Sequence, residues 1–523
     1  MQTKDPTFEP EYGFRAEVDN GGGRRLAGFA SGPIVEDQLA FRLTADAIRD
    51  EVDLDFGESI ASDDIFDDPE RIEQMVFRGK LLFEPEALPG LSTQLTASYT
   101  DVRRPSNELV VPPFEDRIAR DFTIGPRTDV ETISGNFDLS YDFGSGLEIS
   151  NRLTYADFET KIRRPDQPAP GFFTTSLDGN QLTNETLLRF DLADTRLSGL
   201  TGLYVSRKDQ DEFPVVFGPG AAIEDEQTSL GVFAELTYSV TDRLEVTGGL
   251  RYQRDSQERN GQAGFLDVDF DETFDAILPK ADISYALTDN TRVGFTVARG
   301  FNPGGITLNF NTFETVRFDE ETVWNYELYA RSRLLDDRLN LAVNLFFSDF
   351  DGFQNAVVDG FTPTGDPQFV IGNADATTKG LEVSADFEAT EWLTVFGSLG
   401  LLDTEFDQLT APGVSEELEF SYAPDVTAFI GADFRPVDGW TVSAQIRHSS
   451  AYFSDDDNTV ENEVSGFTVL DLSARYEVLD GVAVYGFVSN LLDDDYVVYK
   501  QNAGQEATLS EERTVGLGLS LSF

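Results

Sequence analysis

The sequence predicts an all-β protein, a 22-stranded antiparallel transmembrane β-barrel. Three observations carry that reading. Many segments of about ten residues or more alternate apolar with polar side chains, so each presents one greasy face and one wet face. Tight turns and long polar connections alternate between these segments along the chain. The final strand, RTVGLGLSLSF, sets Val515, Leu517, Leu519, Leu521 and Phe523 against Gly516, Gly518, Ser520 and Ser522. Such an apolar edge strand aggregates in water unless something pairs with it and covers its greasy face.

Composition narrows the alternatives. The chain has 523 residues, 95 of them acidic and 39 basic, for a net charge of −56, and only seven of the cations are lysine. Nucleic-acid partners demand a basic footprint, so this balance argues against them. Cysteine is absent and His448 is the single histidine, which removes disulfide and thiolate chemistry and leaves little for His-based metal sites or catalysis. No run approaches 18 apolar residues, so no transmembrane helix is expected. Mean hydropathy is −0.27, yet aromatics reach 12% with 43 phenylalanines. A membrane barrel has this composition because only alternate residues face lipid. The opening MQTKDPTFEPEYGF has neither a basic n-region nor an apolar h-region, so it does not read as a signal peptide.

The clearest hairpin spans residues 227 to 255. Leu230, Val232, Ala234, Leu236, Tyr238 and Val240 share one face, and Gly231, Phe233, Glu235, Thr237 and Ser239 the other. After Thr241-Asp242-Arg243 the alternation resumes, with Leu244, Val246, Gly248, Leu250 and Tyr252 on the apolar side. Similar turns are read at Glu36-Asp37, Gly144-Ser145-Gly146, Asp289-Asn290, Asp336-Asp337-Arg338, Asp438-Gly439 and Asp480-Gly481. Long polar connections are read at 105–128, 165–180, 213–226, 302–320, 404–418 and 453–464. Strands are expected near 11–19, 24–34, 39–48, 70–85, 91–104, 130–143, 147–163, 180–193, 200–211, 227–240 and 244–256. The remainder fall near 272–288, 291–301, 321–335, 339–352, 369–389, 393–405, 418–435, 440–452, 464–478, 482–499 and 511–523. An even count puts both termini on one side, the periplasmic side of a bacterial outer membrane, where the short turns belong.

Soluble sandwiches or a propeller would also alternate, but these strands are long enough to cross a bilayer and carry no propeller repeat. Face assignment follows from energetics. Asp471, Ser473 and Arg475 oppose Leu470, Leu472, Ala474 and Tyr476, and a basic residue in mid-bilayer costs about 2–4 kcal/mol. The charged face must therefore line a wet or plugged interior. Asn151 breaks the pattern, since it shares the apolar face of Leu147, Ile149, Leu153 and Tyr155. Lipid cannot satisfy an open backbone edge, so the final strand is expected to pair with the first.

Particular segments resemble a known family. VSNLLDDDYVVY (488–499), the terminal strand ending in Phe523, VARGFNPGG (297–305) and ETVWNYELYARSRLLDDRLNLAVNLFFSDFDGFQ (321–354) are similar to TonB-dependent outer-membrane receptors. ILPKADISYAL (277–287), GNADATTKGLEVSADF (372–387) and YAPDVTAF (422–429) fit as well, in order along the chain. The resemblance implies a 22-stranded barrel filled by an amino-terminal plug. It also implies uptake of a scarce, bulky nutrient, siderophore-like, cobalamin-like or carbohydrate, driven by the TonB complex through a short box before the plug. It makes Val515, Leu517, Leu519, Leu521 and Phe523 the assembly signal read by the outer-membrane assembly machinery. Residues 1–10 then read as a remnant of the plug–barrel junction and 11–523 as the barrel domain, a chain cut at its amino-terminal end. Coupling to TonB would require a plug and box supplied from elsewhere. A passive wide pore and a nonfunctional remnant are the alternative readings.

Candidate chemistry is sparse. His448, beside Ser449 and Ser450, is the sole acid–base candidate, and a surface role is expected, so the chain does not read as an enzyme. No phosphate-binding or dinucleotide motif follows a strand and opens a helix. No cofactor is expected, apart from divalent cations at acidic extracellular loops that would bridge to lipopolysaccharide. The calcium candidates are Asp455, Asp456 and Asp457, with further acids at Asp63-Asp64, Asp67-Asp68 and the alternating trio Asp267, Asp269 and Asp271. That trio is not an EF-hand, because position six is Glu272 and position twelve Leu278. Ligand contact is expected at Arg251 and Arg299, read with Arg475 as inward-facing or near-mouth cations, and at Trp324 and Tyr326.

Overall fold

The protein is described from a computed structural model, which covers residues 3–55, 70–105, 108–119, 127–163, 175–192, 195–214, 222–264, 266–309, 312, 314–361, 367–411 and 414–523. Among these residues, 22 antiparallel strands form one closed barrel with almost no helix. Each strand pairs with its neighbours in chain order, from Glu11–Asp19 and Arg24–Val35 round to Val482–Ser489 and Thr514–Ser522. The sheet counts a further short segment, Val414–Leu418, which only prolongs the hairpin begun by Leu393–Ala411. The seam closes as expected. The last strand pairs with the first from Gly13↔Ser522 to Asp19↔Gly516, and Tyr12 and Phe523 exchange two backbone hydrogen bonds of 2.9 Å. No edge is left for lipid to meet.

The outward face is apolar and bounded by two aromatic girdles. Tyr12, Tyr141, Tyr238, Tyr285, Trp440 and Tyr476 lie at the tight-turn ends, and Tyr99, Tyr155, Tyr252 and Trp324 toward the long-loop ends. From Leu244 to Tyr252 is about nine residues, or ~30 Å of strand. At a tilt of about 40° that spans ~23 Å, close to the ~25 Å apolar band of outer-membrane barrels. Asn151 does face outward in this band. Its amide donates to Thr186 Oγ1 at 2.8 Å and to Asn184 Oδ1 and the Glu185 carbonyl at 3.2 Å, so the polar group carries its own partners.

Above the band the strands continue and the polarity of their faces reverses. In Leu266–Thr288 the outward positions change from Ile277, Ala281 and Ile283 to Asp267, Asp269 and Asp271. The inward Leu266, Val268 and Phe270 are buried against Ile223, Ala263 and Ile306. The hydrophobic contact keeps the strand flat against the loops inside, while the acids face water.

Several boundaries differ from expectation. The stretch expected as a loop from residue 404 begins as strand: Leu393–Ala411 continues past it, with Phe406 1% exposed and packed on Phe353 and Phe420, and Val414–Leu418 pairs back on it. Residues 302–320 contain a small hairpin, Gly305–Asn309 with Glu314–Phe318. Leu339–Phe361 runs past residue 352, absorbing bulges after Phe350 and Val358. The strand expected over 482–499 stops at Ser489, because Asn490 turns into the left-handed region at φ 50°. Val497–Gln501 then joins a separate small sheet with Glu506–Leu509 and Leu109–Val110.

Candidate functional site

The inner wall is the surface on which any traffic through the barrel depends. Strand alternation delivers one polar residue in two to it, and these residues pair with one another. Arg447 and Gln445 donate to Asp471 Oδ2 at 3.0 Å each, Arg152 pairs with Asp138, Arg189 with Glu148, and Lys280 with Glu235. Arg251 lies over the rings of Phe233 and Tyr204, at 5.3 and 5.7 Å, and donates to Gln253 Oε1. Gln253 in turn donates to Asp255, which accepts from Ser229. Arg251 is thus an inward cation already held by its own wall.

At the tight-turn side the amino-terminal segment runs inside the barrel. Lys80, only 6% exposed, donates to Asp5 Oδ1 at 2.8 Å and to the Thr3 carbonyl at 3.1 Å. Arg42, equally buried, sits 4.2 Å above the Phe29 ring and 3.4 Å from Glu11. The Thr7 amide donates to Ser31 Oγ at 3.0 Å. Beside this segment a polar recess of about 1010 Å³ is lined by Arg78, Lys80, Gln94, Asn136, Arg152 and Arg189. Sequence reasoning missed Lys80 and Arg42; the signal available was two cations on the polar face of strands with apolar neighbours.

On the long-loop side the aromatic residues form two groups. Phe350, Phe353, Phe406 and Phe420 make a closed cluster, with Phe353 and Phe420 stacked at 4.3 Å. Tyr422 is different. It is 56% exposed, stands 6.1 Å from the parallel ring of Tyr499 and 6.2 Å from Tyr452, and holds φ at 55°. A bulky side chain in the left-handed region is strained, and the Tyr422 amide is fixed there by the Phe453 carbonyl at 2.9 Å. Tyr422, Tyr452 and Tyr499 thus form an aromatic shelf in a strained loop that sequence alternation could not reveal.

The other expected site residues are placed as follows. Arg299, Trp324 and Tyr326 come together, but on the outside: Arg299↔Trp324 and Val297↔Tyr326 are cross-strand pairs in the phase of Phe295 and Leu328, which face lipid. The inward-facing reading of Arg299 is corrected by this register, since all three line the upper girdle and point away from the lumen. Arg475 faces inward, opposite Tyr485. His448 also faces outward, with Nδ1 2.9 Å from Thr468 Oγ1. Asp455 accepts from the Thr459 amide and from Asn462, and Asp456 from the amides of Ala356 and Ser421, so their oxygens are directed at protein donors. Among the described residues no group of three potential ligands converges on a cation position, Asp457 included. Asp63, Asp64, Asp67 and Asp68 lie outside the described residues.

Comparison with known proteins agrees with this architecture. The chain is 25% identical to the pesticin receptor of Yersinia enterocolitica over 313 residues, 56% of this chain and 44% of that one. It is 21% identical to the metal-pseudopaline receptor CntO of Pseudomonas aeruginosa over 282 residues, 53% of this chain and 38% of the relative. The vitamin B12 transporter BtuB of Photobacterium profundum matches at 24% over 302 residues, 51% of this chain and 47% of the transporter. Each match takes in less than half of the relative's own length. Among solved structures, the ferric yersiniabactin uptake receptor FyuA of Yersinia pestis superposes with a TM-score of 0.85 at 19% identity, over 100% of this chain and 81% of that one. The siderophore receptor PiuA of Acinetobacter baumannii gives 0.79 at 15%, over 100% and 82%. The family model for the TonB dependent receptor-like β-barrel matches residues 86–491, and the chain belongs to that outer-membrane family.

Proposed function

We propose that this chain forms the barrel wall of a TonB-dependent receptor that takes up a bulky, scarce nutrient of the siderophore or cobalamin kind at its long-loop face. The observation that carries the reading is the lumen itself. It is wide, polar and self-paired, and residues 3–11 enter it anchored on Lys80, Ser31 and Arg42. That is the path a plug polypeptide would take into the barrel, and residues 1–10 are its junction. The names of the metal-pseudopaline receptor, the vitamin B12 transporter and the ferric yersiniabactin uptake receptor support the ligand class. The exposed Tyr422 shelf, with Tyr452 and Tyr499, offers aromatic contact to such a ligand, and Arg251 is its inward cation. The test is uptake of labelled ferric chelates and cobalamins by cells with and without the intact genomic locus, each with and without working TonB. Loss of uptake on deleting either the locus or TonB supports the proposal. Uptake that persists without TonB points to a passive pore and overturns it.

A further inference from the structure

Inside the barrel the chain repeatedly gives an aromatic ring its own cation and that cation its own carboxylate. Arg42 stands 4.2 Å from the Phe29 ring and 3.4 Å from Glu11. Arg15 lies 5.1 Å from the Tyr485 ring and 2.6 Å from Glu17, and Arg317 lies 5.2 Å from Phe270 and 2.6 Å from Glu272. The ring face attracts the cation and the carboxylate holds it there. The shelf of Tyr422, Tyr452 and Tyr499 has the rings and the carboxylates but not the cation. Among the described residues no arginine or lysine lies over these three rings or pairs with Asp455 or Asp456. Lys500, beside Tyr499, is held instead by the Glu463 carbonyl at 2.7 Å. Asp456 accepts from the amide of Ser421, the residue before Tyr422, at 3.4 Å, and Asp455 accepts from the Thr459 amide and Asn462. These donors are neutral, so both carboxylates keep their charge. Burial, the two neighbouring rings and then these two charges push the Tyr422 hydroxyl upward, which keeps it a neutral phenol. The backing rings are fixed, because Tyr452 donates to the Val498 carbonyl and Tyr499 to Gln501 Oε1, both at 2.8 Å.

We infer that the shelf receives an organic cation carried by the cargo, an ammonium or guanidinium group laid on the face of Tyr422 in the field of Asp455 and Asp456. That the cation arrives on a nutrient rests on the uptake reading above; the site itself rests on the rings and the carboxylates. Tyr422 is the receiving surface, since it is 56% exposed while the parallel ring of Tyr499 backs it at 6.1 Å. A bare metal ion does not fit, because protein donors take the oxygens of both carboxylates and among the described residues no third ligand converges on them. A ring face attracts an organic cation without displacing those donors. An anionic chelate is the opposite case, since it would meet two carboxylates that no described cation pairs with.

Saturation-transfer NMR on the full chain in detergent tests this with a matched pair of probes. One is choline, and the other is its neutral isostere, in which a tert-butyl group replaces the trimethylammonium. Wild type is expected to bind choline about fivefold more tightly than the isostere, with a preference that shrinks as salt is raised. Tyr422→Leu should abolish the preference and Tyr422→Phe should keep it, because the ring face and not the hydroxyl holds the cation. Heat-modifiable gel mobility checks that both variants are folded barrels. Equal binding of the two probes by wild type, or a preference that survives Tyr422→Leu, overturns the inference. The uptake reading fails separately, by import that persists without TonB, and that result would leave the preference for choline in place.

Discussion

Asn490 shows how much one side chain can decide. It is 6% exposed and left-handed, its amide donates to Asp471 Oδ1 at 2.9 Å, and its side chain bonds the Asp494 carbonyl, the Glu511 carbonyl and the Asp494 amide. Asn490→Gly keeps the backbone geometry and loses the side-chain bonds, whereas Asn490→Ala loses both. Urea unfolding should therefore rank wild type above Asn490→Gly above Asn490→Ala, the last costing about 2–3 kcal/mol; an Ala variant as stable as wild type removes this account. Nearby, Arg117 holds Asp495 at 2.7 Å, Glu512 at 3.3 Å and Asp53 at 3.5 Å, one cation for three carboxylates. Partial burial and the adjacent Asp53 push Glu512 above the ordinary carboxylate range. A raised carboxylate pKa means the folded state binds the proton more tightly, so its strain is present at neutral pH and is relieved as pH falls toward the ordinary value near 4.5. Hydrogen exchange in 490–512, corrected for intrinsic rates, is expected to slow between pH 7 and pH 5, and Glu512→Gln should remove that dependence. Faster exchange on acidification contradicts it.

At the scale of elements, the last strand explains its own glycines. Glu17, Gly518 and Tyr485 form one cross-strand row over three strands. The Tyr485 ring lies over Gly518, where a Cβ would come within 2.1 Å of it, and reaches the first strand. Its hydroxyl donates to Glu17 Oε2 at 2.7 Å and accepts from Arg15 Nε at 2.6 Å, stapling the seam. Phe487 covers Gly516 in the same way. Gly518→Val is expected to displace the tyrosine and lower barrel stability by about 1–3 kcal/mol, read as an earlier midpoint in heat-modifiable mobility. Restoring space with Tyr485→Ala in the Gly518→Val background should make the second change nearly neutral, and strict additivity would show that the two do not meet. The alternation of Leu with Gly and Ser was legible in the sequence, as were the tight turns, because strand period and turn chemistry are local. The partner ring over each glycine was not, since it comes from another strand. The same distinction explains why Arg299 was read as an inward-facing or near-mouth cation although it faces outward. Nearness to a motif suggested the mouth, whereas the parity of Val293, Phe295 and Val297 in the same strand already assigned the lipid side.

For the molecule as a whole, the net charge of −56 is reconciled with a membrane by height rather than by face alone. The sequence phase of each strand is constant, but what that phase means changes at the upper girdle. Outward positions are apolar below it and largely charged above it, so long strands with charged outward residues such as Asp267, Asp269 and Asp271 are not exceptions to the barrel pattern. They mark where the bilayer stops, a boundary that a one-dimensional reading places only when aromatic residues are counted from the turns. Leu266–Thr288 provides the ruler. Ala281 and Asp271 lie on one face ten residues apart, Ala281 midway between Tyr285 and Ile277 and Asp271 beyond the girdle. Ala281→Arg should cost about 2–4 kcal/mol on folding into lipid vesicles, because the guanidinium would sit near the bilayer midplane. Asp271→Arg should change stability by about 1 kcal/mol or less, since its side chain stays in water beside Glu258, its cross-strand neighbour. Reversible urea unfolding of the two variants measures both. Equal costs would mean that the apolar band extends past the girdle, and with it the assignment of inner wall, outer wall and loop face would have to be redrawn.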